Sequence, residues 1–139
     1  MFILAILQGN NIYDRVTQGN ARYYGVREAA QVLNIPTRNV SGEFPADLAP
    51  QPQPTAELPF YLEQAANEPK TAALFIINGK TVSFVPHGGG YILIDSHIHE
   101  PHGALIAFAN TNNVWDLLQF YYDLTGHPYT LGTVTKVSF

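Results

Sequence analysis

Gly88-Gly89-Gly90-Tyr91-Ile92-Leu93-Ile94-Asp95-Ser96-His97-Ile98-His99-Glu100-Pro101-His102-Gly103-Ala104-Leu105-Ile106-Ala107-Phe108 is the stretch on which the fold turns. A triglycine feeds an apolar, β-prone run. That run ends in titratable residues, and a second apolar run follows after a short polar interval. Two such runs joined by a short polar link read as an antiparallel hairpin, with strands over Tyr91 to Ser96 and Ala104 to Phe108.

Upstream, Ala72 to Ile77 and Thr81 to Val85 flank Asn78-Gly79, the dipeptide that supplies two left-handed residues to a tight hairpin turn. Downstream, Val114, Leu117, Leu118 and Tyr121 recur at helical spacing. The pattern predicts a helix capped by Asn113 and running to about Leu124, with Asp116 near its positive end and Gly126 and Pro128 closing it. Tyr129 to Phe139 alternates as a last strand. A short helix over Ala56 to Asn67 turns Phe60, Tyr61 and Leu62 inward. Thr37 to Thr55, with Pro45, Pro50, Pro52 and Pro54, shows no period and reads as a stiff extended connection.

Before it, Val26, Ala29, Ala30 and Leu33 mark one face of a helix from Ala21 to Leu33, with Asn20 as N-cap and Ile35-Pro36 as its stop. Residues Ile12 to Asn20 read as loop. The apolar Met1 to Leu7 lacks the basic flank and cleavage site of a leader, so it is expected to be a buried strand or anchoring segment of the mature chain. Helices followed by a mainly antiparallel sheet make the chain α+β, with residues 1–139 as a single domain.

Composition narrows the function. The chain has 139 residues, 46% of them hydrophobic, and a net charge of −4. That balance argues against nucleic acid, which needs clustered Lys and Arg. No apolar run approaches the ~20 residues of a membrane span. There is no cysteine, hence no disulfide, thiolate metal site or thiol nucleophile in the chain as it stands.

His87, His97, His99 and His102 crowd around the hairpin. They read in three ways: as solvated loop residues, as ligands of a metal held by His97, His99, His102 or Asp95, or as part of an acid–base pair. Asp95 and His97 share one face of a strand, so the carboxylate can take one imidazole nitrogen and aim the other at a nucleophile. Ser96 points the opposite way.

The run Ile92-Leu93-Ile94-Asp95-Ser96-His97, followed by Gly103-Ala104-Leu105-Ile106-Ala107-Phe108 and a Leu-containing helix, resembles the second catalytic motif of the herpesvirus large-tegument-protein deubiquitinases and their cellular, viral-tegument-like relatives. The resemblance implies a papain-like cysteine protease that cleaves after the C-terminal glycine of ubiquitin. In that family a Gln precedes the catalytic Cys, which opens the first helix. Gln8-Gly9 matches the Gln element, and the position of the Cys falls on Ala21.

The resemblance therefore assigns His97 as base, Asp95 as its orienting carboxylate, Gln8 as oxyanion donor and Ala21 as the place of the missing nucleophile. Two accounts fit Ala21: a Cys-to-Ala replacement in a ubiquitin-binding, catalytically dead form, or a natural pseudoenzyme acting as a ubiquitin-binding module. A metal-dependent hydrolase built on the histidines is a further alternative. On the family reading the partner is ubiquitin or polyubiquitin, bound through the 37–55 connection and the Lys70 to Val85 hairpin, with Tyr23, Tyr24 or Tyr91 walling the cleft. No cofactor or metal is implied. The protein is expected to be an intracellular monomer, and His99 and His102 are expected to be bystanders.

Overall fold

The computed structural model describes residues 11–12, 14–20, 24–36, 39–48, 57–101, 103–125 and 130–139. The chain falls into two compact units, residues 1–37 and 38–139, which we describe separately.

In the first unit, residues 11–12 and 14–17 are helical where the sequence suggests loop. Helix α1 spans Val26–Val32 and buries Val26 and Ala30. It is shorter than expected at its start. Gly25 is extended, with φ −68° and ψ 159°, and serves as the N-cap without a side-chain bond. Neither Asn20 as N-cap nor a first turn at residue 21 therefore belongs to this helix. The exit follows a specific chemistry. Asn34 takes φ 56°, its N–H donates to the Gln31 carbonyl, and the Ile35 N–H donates to the Ala30 carbonyl. Those two bonds satisfy carbonyls that a helix end otherwise leaves open. Pro36 then bars continuation.

The second unit is built on a six-stranded antiparallel sheet of order β1-β6-β2-β3-β4-β5. The strands are β1 Phe44–Asp47, β2 Thr71–Ile77, β3 Lys80–His87, β4 Gly90–His99, β5 Gly103–Asn110 and β6 Leu131–Ser138. Helix α2, Glu57–Asn67, precedes β2, and helix α3, Val114–Thr125, lies between β5 and β6. The architecture is α+β, a sheet with helices on it.

Strands β2 and β3 meet through Asn78 at φ 50° and Gly79 at φ 72°, the two left-handed residues that a primed turn requires. The first strand is a finding. Inside the proline-rich connection, Phe44 to Asp47 pairs with β6. Pro45 is tolerated because, among the described residues, β1 is an edge strand paired with β6 alone. The Phe44 ring stacks on Tyr61 of α2 at 5.2 Å.

One face of the sheet carries the core. Ala73, Phe84, Leu93 and Ala107 form a row across β2, β3, β4 and β5. Against this face pack Leu58, Leu62 and Ala65 of α2 and Leu117, Leu118 and Tyr121 of α3. Burying each large side chain contributes about 1.5–3 kcal/mol, and this row fixes which face of β4 points inward. Phe60, expected inside, is 54% exposed, because Leu58, Leu62 and Ala65 already define the buried stripe of α2. Helix α3 enters through a 3-10 turn, Thr111–Asn113. There the Asn110 side chain caps the 3-10 turn, accepting from the Asn113 N–H. Residues 126–129, expected to end α3, lie outside the described residues.

Candidate functional site

Strand β4 brings the titratable residues together. Tyr91, Leu93 and Asp95 alternate into the core, while Ser96 is exposed, as the strand period requires. Asp95 is fully buried. A carboxylate taken out of water costs several kcal/mol unless its lone pairs are met, and here four donors meet them. Oδ1 accepts the His97 backbone N–H at 2.9 Å and lies 2.6 Å from His97 Nδ1. Oδ2 lies 2.8 Å from His99 Nε2 and accepts the Tyr121 hydroxyl at 2.9 Å.

Burial pulls the Asp95 carboxyl upward, but the bonds from His97, His99 and Tyr121 outweigh it and hold the group below the usual carboxylate range. Burial first, then the charge of Asp95 and its hydrogen bond, push the Tyr121 phenol far above its ordinary value. The phenol therefore stays a donor.

An ionised carboxylate only accepts, so both ring nitrogens facing it carry protons. His97 is protonated on Nδ1 and His99 on Nε2, opposite tautomers when neutral. The free lone pair of neutral His97 then sits on Nε2, on the far side of the ring. The His97 side chain is 32% exposed and that of His99 6%. One imidazole is partly exposed, and the other is nearly buried.

The strand geometry explains why His99 reaches Asp95. A regular strand rises about 3.3 Å per residue, so residues four apart would stand ~13 Å from one another. Between Asp95 and His99 the register breaks: Asp95 pairs with Leu105 and His99 with Gly103, leaving extra residues on β4. This irregularity bends the strand around the carboxylate. His99 is thus a buried partner of Asp95 and not a bystander, correcting the sequence reading. Its ring also meets Tyr121 edge-on, with centroids 6.4 Å apart. An apolar hollow of about 290 Å³ adjoins it, lined by His99, Gly103, Leu105, Phe120 and Leu124.

Of the other expected residues, Gln8, Ala21, Tyr23 and His102 lie outside the described residues. Tyr91 is only 4% exposed and belongs to the core, where burial, then Glu63, raises its phenol. Its remaining edge lines a hollow of about 530 Å³ together with Phe60, Glu63, Thr111 and Trp115. Among the described residues, no three His, Asp or Glu side chains converge as metal ligands. His97 and His99 address different oxygens of one carboxylate. No helix among the described residues is long and apolar enough to cross a membrane.

No protein-family model and no curated protein matches the sequence. Among solved structures, the chain is similar to the ubiquitin-specific protease encoded by the murine cytomegalovirus tegument protein M48, crystallised in complex with a ubiquitin-based suicide substrate. The identity is 13% and the TM-score 0.47, over 70% of this chain and 44% of that one. It is also similar to the Pseudomonas avirulence protein AvrPphB, at 11% identity and a TM-score of 0.47, over 81% of this chain and 68% of that one. The chain spans less than half the length of the viral protease. Neither likeness assigns it to a family.

Proposed function

We propose that residues 1–139 form a papain-like deubiquitinase domain of the viral-tegument-like kind, in a form whose nucleophile position is Ala21. The observation that carries this reading is His97: its Nδ1 is tied at 2.6 Å to a buried carboxylate, while the ring stays partly exposed. A general base needs an orienting acceptor on one nitrogen and an open lone pair on the other. The Asp-Ser-His motif on a hydrophobic strand, with the Gly-Ala strand and helix after it, supplies the substrate class through its resemblance to the tegument-protein deubiquitinases.

For a chain with Cys at position 21, the resemblance implies the following chemistry. His97 Nε2 takes the thiol proton, and the thiolate attacks the carbonyl carbon of the last glycine of ubiquitin. Gln8 and the N–H of residue 21 receive the oxyanion. The imidazolium returns the proton to the leaving amine, and water hydrolyses the thioester. With Ala21 the first step has no thiol, so the chain as it stands binds ubiquitin without cutting it. In this reading ubiquitin or polyubiquitin is the partner, the protein acts as a monomer inside the cell, and it needs no cofactor.

The test is the Ala21→Cys protein, offered a ubiquitin C-terminal fluorogenic substrate and an electrophilic ubiquitin probe. Turnover and a covalent adduct are expected. A folded Ala21→Cys protein that gives neither would sink the protease reading. Ubiquitin binding by that protein without chemistry would instead favour the pseudoenzyme.

A further inference from the structure

We infer that His99 and Tyr121 are positioning residues of this site: by filling Oδ2 of Asp95 they commit Oδ1 to His97 and fix the tautomer whose Nε2 is the base. The inference rests on the reading of His97 as the general base, and its physical part can be judged without activity.

A carboxylate has two equivalent oxygens and can turn about its terminal bond. With one donor partner, either oxygen would serve and the imidazole could follow it. Here each oxygen has two donors from different directions. Oδ1 is held within β4, by the backbone N–H and ring of His97. Oδ2 is held by Tyr121, 26 residues away on α3, and by His99 beyond the break in register. Rotating the carboxylate would break all four bonds, and the burial of Asp95 and Tyr121, with His99 nearly buried, leaves solvent little access to those on Oδ2. The Tyr121 hydroxyl also anchors the site to the core helix, with Leu117 and Leu118 packed beneath the same strand. The position of His97 is thereby referred to α3 and not to the exposed end of the hairpin.

The roles of the two histidines divide accordingly. Each donates to the same anion, but only His97 is exposed enough to meet a substrate. The near-burial of His99 removes it as a competing base while keeping it as a donor.

The test uses four variants: Tyr121→Phe, His99→Gln, His99→Leu and the double variant Tyr121→Phe with His99→Leu. Glutamine can present an N–H toward Oδ2, whereas leucine cannot. In the chain with Ala21, imidazole nitrogen NMR reads the His97 tautomer directly. The parent is expected to show His97 protonated on Nδ1, with His99 on Nε2. The double variant should show a mixed His97 tautomer, and His99→Gln should restore the parent pattern. In the Ala21→Cys background, the leucine and double variants should lose about 10–100-fold in kcat with KM little changed, and His99→Gln should retain most of it.

A double variant that folds with His97 wholly on Nδ1 overturns the positioning role, whatever its thermal stability. If Ala21→Cys proves inactive, the protease reading falls while the tautomer result still decides whether Oδ2 controls His97. If Ala21→Cys is active and kcat is unmoved by the double variant, the positioning role falls while the protease reading stands.

Discussion

Replacing Asp95 with Ala should be among the most damaging single substitutions in this protein. The carboxylate is fully buried and meets four donors. Two of them, Tyr121 Oη and His99 Nε2, are themselves buried and would be left without an acceptor, at about 1–3 kcal/mol each. The two on His97 lie nearer solvent, so water can replace part of their loss. Removing the carboxylate also removes its own desolvation penalty, which returns some of the cost. The net is about 3–5 kcal/mol, against a total stability of roughly 5–15 kcal/mol for a domain.

Asp95→Asn keeps the shape and lets Tyr121 turn to accept from the amide NH2, but that NH2 also faces His99 Nε2. Charge assistance is therefore lost, and His99 must change tautomer or lose its acceptor, about 1–3 kcal/mol. Urea unfolding followed by the fluorescence of Trp115, the single tryptophan, measures both. The pH dependence adds a sign. The folded carboxyl sits below its ordinary value of 3.8. Its stabilising contribution is therefore fully present above about 3.8 and is lost as pH falls through the lower folded value. The gap between parent and Asp95→Asn should close over that acid window. An Asp95→Ala protein within about 1 kcal/mol of the parent at pH 7 would refute the four-donor account.

Other substitutions probe separate parts of the argument. Tyr121→Phe keeps the ring and loses one bond to a charge, so it should cost about 1.5–3 kcal/mol in urea unfolding. Because the folded phenol is raised from 10.0, its contribution is whole below pH 10 and lost as pH rises beyond it. The parent should therefore weaken relative to Tyr121→Phe in alkaline urea titrations. Gly90→Ala would place a Cβ 2.1 Å from the Ala109 carbonyl oxygen, prying β4 from β5. A loss of about 3 kcal/mol or more, with disrupted β4–β5 amide protection, is expected. Thr135 is 1% exposed, and its hydroxyl has no partner among the described residues. Thr135→Val should therefore stabilise the protein by about 1 kcal/mol, read as a higher urea midpoint.

The sheet was readable from sequence wherever strong local chemistry specified it. Asn78-Gly79 dictates its hairpin because only left-handed residues close that turn. Tyr91 to Asp95 reads as a strand from its continuous β-prone run, which does not itself say which face is buried. The misses share a cause in non-local or irregular geometry. Strand β1 hides among prolines because an edge strand can spare a donor, and its partner β6 lies far along the chain. Helix α1 starts at Val26, the first residue of its apolar spacing; the expected start at residue 21 rests on Asn20 as a cap, and extended Gly25 intervenes. The bond from His99 to Asp95 is not legible in the sequence because alternation assumes a straight strand, and the break after Asp95 is not written in any residue type. Tyr121 was read correctly as core-facing, but a hydroxyl's partner cannot be seen in a helical period. Asp95 and His97 came through because they are adjacent on one strand face.

The order of the sheet has a consequence for assembly. Strands β2 to β5 are joined in sequence, so each pairing closes a short loop of chain. Strand β6, by contrast, inserts between β1 and β2, pairing Val134 with both Phe44 and Phe75. These unions span roughly 60 to 90 residues, and loop-closure entropy must be met before they return any contact energy. The four-stranded meander is therefore expected to be the early-forming half of the sheet and β6 the late wedge. Until the wedge arrives, the flank of β2 is an open template for a foreign strand. A sheet of this order encloses β4 early, between β3 and β5, and leaves β2 open on one flank until β6 arrives.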